Sequence, residues 1–108
     1  MALVNRFDVF LVNMDERPSR DAKNTRPAVI VSPDELNRNI ESVIIAPIAT
    51  TRAKYPTRVS VDFLGSERYV ILDQIRSIDK VRLVKKIGSL DSESQKMVVA
   101  RLMELFAE

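Results

Sequence analysis

Between Thr50 and Arg58 the chain carries Arg52, Lys54 and Arg58 and no acid, with Thr51 and Tyr55 among them. Cationic side chains attract phosphate, and a threonine hydroxyl can donate to its oxygens. A tyrosine ring can stack on an exposed base. The same cluster also reads as an ordinary solvated surface, and Tyr55 beside Pro56 as a loop anchor. A second polar stretch, Met14 to Thr25, contains Pro18, Ser19, Arg20, Asp21, Lys23 and Asn24. Connections in compact domains usually run about 4–6 residues, so a longer polar loop marks a functional suspect.

What the chain lacks narrows the chemistry further. Its 108 residues include no Cys, His or Trp. That excludes zinc fingers, thiol nucleophiles and Ser-His-Asp relays, leaving Arg, Lys, Asp, Glu, Thr, Ser and Tyr to carry any reaction. No metal or cofactor is expected. The formal charge is +2, from 17 Lys and Arg against 15 Asp and Glu. It is unevenly placed: the first 90 residues hold fifteen bases against eleven acids, a net of +4 ahead of an acidic C-terminal stretch. A length near 100 suits one domain, residues 1–108, and the 45% hydrophobic content allows a core. Without disulfides the fold suits a reducing compartment. Arg6 and Asp8 interrupt the N-terminal apolar run, so the expectation is a soluble, cytoplasmic protein.

These residues must be positioned by strands and two helices. Arg6 to Asn13, rich in Phe and Val, reads as a strand. Ala28 to Val31 reads as a buried strand opened by Pro27. Ser32, Pro33 and Glu35 form a helix-start signature, with Ser32 as N-cap and Glu35 reaching back, for a short helix ending near Asn39. Ser42 to Ala49 reads as a buried strand. Val59 to Phe63 and Tyr69 to Leu72 form a hairpin around Gly65 and Ser66. Ile75 to Ile87 predicts a turn and a final strand ended by Gly88 and Ser89. Asp91 can cap a C-terminal helix whose apolar face is Val98, Leu102, Leu105 and Phe106. The order indicates an α+β domain with a mainly antiparallel sheet.

The strings RFDVFLVNMD, TRPAVIVS, VIIAPI, YPTRV, ILDQIRSIDK and KKIGSLD occur in an order that resembles the MazF, PemK and Kid family of toxin endoribonucleases, from Arg6 to about Leu105. The most specific are Thr25-Arg26-Pro27 after the polar loop and Asp73-Gln74-Ile75-Arg76 followed by Ile78-Asp79. The resemblance implies a small twisted barrel-like sheet, related to SH3-like barrels, with a short helix and a C-terminal helix. It implies a homodimer that cuts single-stranded RNA without a metal and is neutralised by a cognate antitoxin. The implied antitoxin segment covers the groove between the polar loop and the Thr50 to Arg58 loop. The implied reaction is attack of a ribose 2′-OH on the adjacent phosphate, leaving a 2′,3′-cyclic phosphate and a 5′-OH.

Arg26 matches the family's catalytic arginine, and Thr50 matches its hydroxyl residue, with Thr51 the neighbouring alternative because Ala49 stands where members commonly place Thr. Asp21 is the first choice of general base. Asp73 is the second, or else it orders its loop through hydrogen bonds. Arg20, Lys23, Thr51, Arg52, Lys54, Tyr55, Arg58, Asp73 and Gln74 are the implied RNA contacts. The chain departs from the pattern at Ile71, where the Kid-like branch has an arginine, at Asn24, where a left-handed turn is expected, and at Phe7, which replaces a common Gly and reads as packing. A gyrase poison of the CcdB type is the rival reading, but it needs a C-terminal tryptophan that this chain lacks. A catalytically decayed binding member is the third.

Overall fold

The computed structural model describes residues 3–17, 22–50 and 57–107. Among them are seven strands and two α-helices: β1 (Asp8–Asn13), β2 (Thr25–Ile30), α1 (Asp34–Asn39), β3 (Ser42–Ala49), β4 (Arg58–Phe63), β5 (Ser66–Ile71), β6 (Arg76–Asp79), β7 (Leu83–Ser89) and α2 (Ser92–Phe106). All pairings are antiparallel, in the order β4-β5-β3-β2-β1-β7, with β6 added to β3. The spine is β3. One flank pairs with β2, while the other pairs first with β6 through Ser42 to Ile45 and then with β5 through Ile48 and Ala49. One strand shared this way curls the sheet into a half-barrel.

Because side chains alternate along a strand, a curled sheet buried on both faces needs near-continuous apolar runs. Val9, Val29, Ala46, Ile48, Val59, Val61, Phe63 and Val70 pack on one face, beneath Leu90 and Val98. Phe10, Val12, Ala28, Ile30, Val43, Ile45, Ile78 and Leu83 fill the other. The run Ala28 to Val31 is thus split between two cores.

Several local expectations change. The strand opens at Thr25 rather than Ala28, which shortens the loop. Before Ala28, β2 is flanked by β1 alone among the described residues, and a rim position tolerates the missing N–H of Pro27. Ser32 does not cap α1: Pro33 is the N-cap and no side chain caps there. The Ser32 hydroxyl instead bonds the Asn37 side chain and accepts from the Ile44 amide at 3.1 Å, so it ties α1 to β3 inside the core. Glu35 is exposed, without the capping-box contact. Residues 75–87 contain two strand segments, β6 and β7, not one, and β7 runs through Gly88 to Ser89. The hairpin turn centres on Leu64 and Gly65, at φ 52° and 77°, the pair of positive values that a two-residue turn between twisted strands requires.

Phe7 is both a packing residue and a strained one. Its ring lies against the first core, yet its φ is 72°, a value at which glycine has no penalty. Asn24 has no positive φ; it sits in a 3-10 turn, and its amide bonds Asp15 at 3.1 Å.

On α2, Val98 is fully buried and Leu102 packs against the core, but Leu105 and Phe106 are 37% and 70% exposed and do not join them. The Asp91 cap forms as expected, its carboxylate accepting from Ser94 N–H at 2.7 Å. Hydrogen bonds from the Ser94 backbone N–H and then from its hydroxyl hold the carboxyl below the usual carboxylate range. A depressed folded-state pKa gives stabilisation that is present above the unfolded value and lost as pH falls through the folded one. Acid unfolding of Asp91→Asn, which keeps an acceptor without the charge, is therefore expected to show a shallower loss of Tm below pH 4 than wild type. A parallel pH dependence in the two proteins would contradict this.

Candidate active site

Arg26 pairs with Val12 across β1–β2, one step past the last core residue on its face, Ala28. Alternation carries Arg26 to the same side as Ala28 and Ile30, but beyond the end of the β2–β3 ladder, where it is exposed. On the neighbouring strand Ile45 is buried, Pro47 and Ala49 are half-buried, and Thr50 follows at the strand's end. Both chains thus leave the core at one rim, one delivering a guanidinium and the other a hydroxyl.

A groove of about 720 Å³ opens at this rim. Its floor is apolar, formed by Val12, Ala28, Ile45 and Ile48, while Arg26, Thr50, Arg68, Gln74 and Arg76 bring polar groups to its wall. No carboxylate stands among the described residues that line it. A floor of this kind can hold a base or ribose, with the arginines taking phosphate. Among the described residues no three carboxylates cluster to hold a metal ion.

The sequence candidates divide into four groups. Arg26, Thr50 and Gln74 line the groove together. Lys23 is exposed in the 3-10 turn before β2. Asp73 and Arg58 face each other instead, Asp73 accepting from the Thr57 hydroxyl at 3.0 Å and lying 3.7 Å from Arg58 Nε. That arrangement matches the loop-ordering role for Asp73: it fastens β4 to the turn before β6. Arg20, Asp21, Thr51, Arg52, Lys54 and Tyr55 lie outside the described residues.

Arg68 and Arg76 were not among the sequence candidates, though both line the groove. Arg76 stands inside the quoted Asp-Gln-Ile-Arg string and could have been chosen from it. Arg68 had no such signal, because only the pairing of β5 with β3 brings it to the rim.

The neck of the polar loop is also built. Asn13 is fully buried, donates to Asp15 at 3.0 Å, and accepts from the Asp15 amide at 3.1 Å. Asp15 takes a further bond from Asn24 across the loop. From the turn before β7, Arg82 donates to the carbonyls of Asn13, Asp15 and Glu16, at 3.1, 2.5 and 3.2 Å. One guanidinium thus satisfies three backbone acceptors where the chain leaves the sheet.

Comparison with known proteins agrees with this geometry. The chain matches the PemK-like, MazF-like toxin of type II toxin–antitoxin systems over residues 5–106. It is 36% identical over 97 residues to Endoribonuclease EndoA of Bacillus subtilis (strain 168), 84% of each chain being covered. A chain of the MazE–MazF complex (form II) from Deinococcus radiodurans superposes with a TM-score of 0.81 at 20% identity, covering 99% of this chain and 98% of its own. An endoribonuclease from mycobacterial species, in complex with its cognate antitoxin, gives 0.79 at 22% identity, covering 94% and 92%. The two structures establish the curled sheet with its C-terminal helix. The family match and the Bacillus relative go further: this chain belongs to the PemK-like, MazF-like toxins of type II toxin–antitoxin systems.

Proposed function

We propose that this endoribonuclease toxin cuts single-stranded RNA by metal-independent transesterification in the groove at the β2–β3 rim. The observation that carries the proposal is the convergence there of Arg26, Thr50 and Gln74, with further guanidinium groups and no acid on the described wall. The ribose 2′-oxygen loses its proton to a base and attacks the adjacent phosphorus. The bond to the 5′-oxygen then breaks, and that oxygen takes a proton. Negative charge grows on the nonbridging oxygens during attack, where the planar fork of Arg26 and the Thr50 hydroxyl stabilise it. Asp21 is the proposed base. Lys23, Arg20, Thr51, Arg52, Lys54, Tyr55 and Arg58 are the proposed flanking contacts.

The Bacillus relative is named an endoribonuclease, one structural relative is held with its cognate antitoxin, and another is a MazE–MazF complex. By extension the partners here are a cognate antitoxin, seated over the groove in competition with RNA, and a second copy of the chain. Leu64, Met103 and Phe106, 63%, 69% and 70% exposed, are apolar side chains that assembly would cover. Among the described residues no helix is long and apolar enough to cross a membrane. The proposed place of action is the cytoplasm, as one toxin domain spanning residues 1–108.

Purified protein incubated with defined single-stranded RNA in EDTA is expected to yield discrete products with 2′,3′-cyclic phosphate and 5′-OH ends. A strict requirement for divalent metal, or 5′-phosphate ends, would overturn the mechanism. Sequencing of 5′-OH ends after expression maps the cleavage sequence.

A further inference from the structure

The geometry points to Arg68 as a substrate-positioning residue that grips the phosphate next to the scissile one, on the Thr50 side of the groove. The inference rests on the reading that the groove binds RNA, and it adds a residue to that site.

The β3–β5 ladder pairs Ile48 with Val70 and Ala49 with Tyr69. Continued one step, the register sets Thr50 against Arg68. Directly opposed residues in an antiparallel pair have Cα atoms about 4.5–5.5 Å apart, so the two side chains leave the backbone from neighbouring positions. Both residues line the groove that holds Arg26.

The Arg68 side chain is also held in place. Its Nε donates to the Phe63 carbonyl at 3.2 Å, across the β4–β5 hairpin. That bond uses the nitrogen nearest the stem and leaves the terminal pair as a fork, the arrangement that meets two oxygens of one phosphate. Other arginines are spent on the protein itself: Arg82 binds three carbonyls and Arg101 pairs with Glu104. Among the described residues Arg68 forms no ion pair. Its neighbour Glu67 instead accepts from the Tyr69 hydroxyl at 2.7 Å. The result is a half-buried, oriented and uncompensated charge on a groove wall free of described carboxylates.

A ligand contact and a structural tether to Phe63 differ in their salt dependence. Each phosphate neutralised on a single strand contributes about 0.7 to the slope of log affinity against log salt. The probe is a single-stranded RNA carrying the mapped cleavage sequence, with 2′-deoxyribose at the scissile position so that it binds without being cut. Arg68→Ala is expected to weaken binding about tenfold and to reduce the salt slope by about 0.7. In cleavage assays the loss falls mainly on KM. Arg68→Lys keeps the charge and the slope but loses the fork, so it recovers only part of the affinity.

If Arg68→Ala binds with unchanged slope, the assignment is wrong; a lowered Tm alongside would identify a tether only. Wild type that neither binds nor cuts any RNA would overturn the groove reading, and this inference with it. Wild type that cuts, with Arg26→Ala that binds without cutting, keeps the groove reading whatever Arg68 does.

Discussion

Arg26→Ala is expected to lower the cleavage rate by a factor of at least about 10²–10³, the usual effect of removing one preorganised donor from a developing oxyanion. The fold has little stake in this side chain. Arg26 is exposed, lies past the end of the β2–β3 ladder, and makes no ion pair among the described residues. Substitutions at such positions usually stay within about 0.5 kcal/mol. Thermal unfolding and RNA-binding assays should therefore find a folded variant that still holds its ligand through the remaining cations. Arg26→Lys should be intermediate at best, because an ammonium supplies the charge without the planar fork. The decisive measurement is single-turnover cleavage of one defined RNA by the three proteins. Near-normal turnover by the alanine variant would remove Arg26 from the chemistry and leave the groove without its principal stabiliser of the phosphate charge.

Gly88→Ala should produce the largest loss of stability among the substitutions considered. Gly88 pairs with Val9 beside an irregularity in the β1–β7 ladder, and its φ is 157°. A Cβ there would lie 2.9 Å from Cε1 and Cζ of Phe63. The ring has little freedom to retreat, being 7% exposed within the core cluster that includes Val9, Leu90 and Val98. Overpacking a tight core costs about 1–3 kcal/mol, and a backbone angle that side chains seldom adopt adds to it. A total of about 2–3 kcal/mol corresponds to a Tm lower by about 10–20 °C. Phe63→Leu shortens the obstructing side chain, so combining the two substitutions should cost less than their sum. Denaturation of the two single variants and the double variant measures the coupling. A stability for Gly88→Ala within 0.5 kcal/mol of wild type, or strict additivity, would show that the ring gives way freely.

Features decided within a few residues were legible from the chain. The alternation of β4, the apolar runs of β2 and β3 and the Asp91 cap all led to correct elements, and Arg26, which the Thr-Arg-Pro string singles out, lines the groove. What depends on a distant partner was not legible. Ser32 has the composition of a cap, but Ile44 and Asn37 compete for its hydroxyl and win because the residue is buried. Leu105 and Phe106 continue the helical apolar pattern past the point where α2 leaves the core. The division of residues 75–87 into β6 and β7 follows from the demand of β3 for a second neighbour, which no local spacing encodes. Arg68 is of the same kind: its importance comes from the strand it lies beside.

That dependence on β3 also bears on when the toxin becomes active in its own lifetime. Among the described residues the groove is lined from Val12 to Arg76, and β3 alone links the β2 rim with β5 and β6. No shorter segment contains all of its described lining. Non-local strand pairing is slow, taking milliseconds to seconds where local helices need microseconds. During translation, Arg26 and Thr50 emerge before β5 and β6, so the groove they line is assembled only once the chain has grown past Arg76.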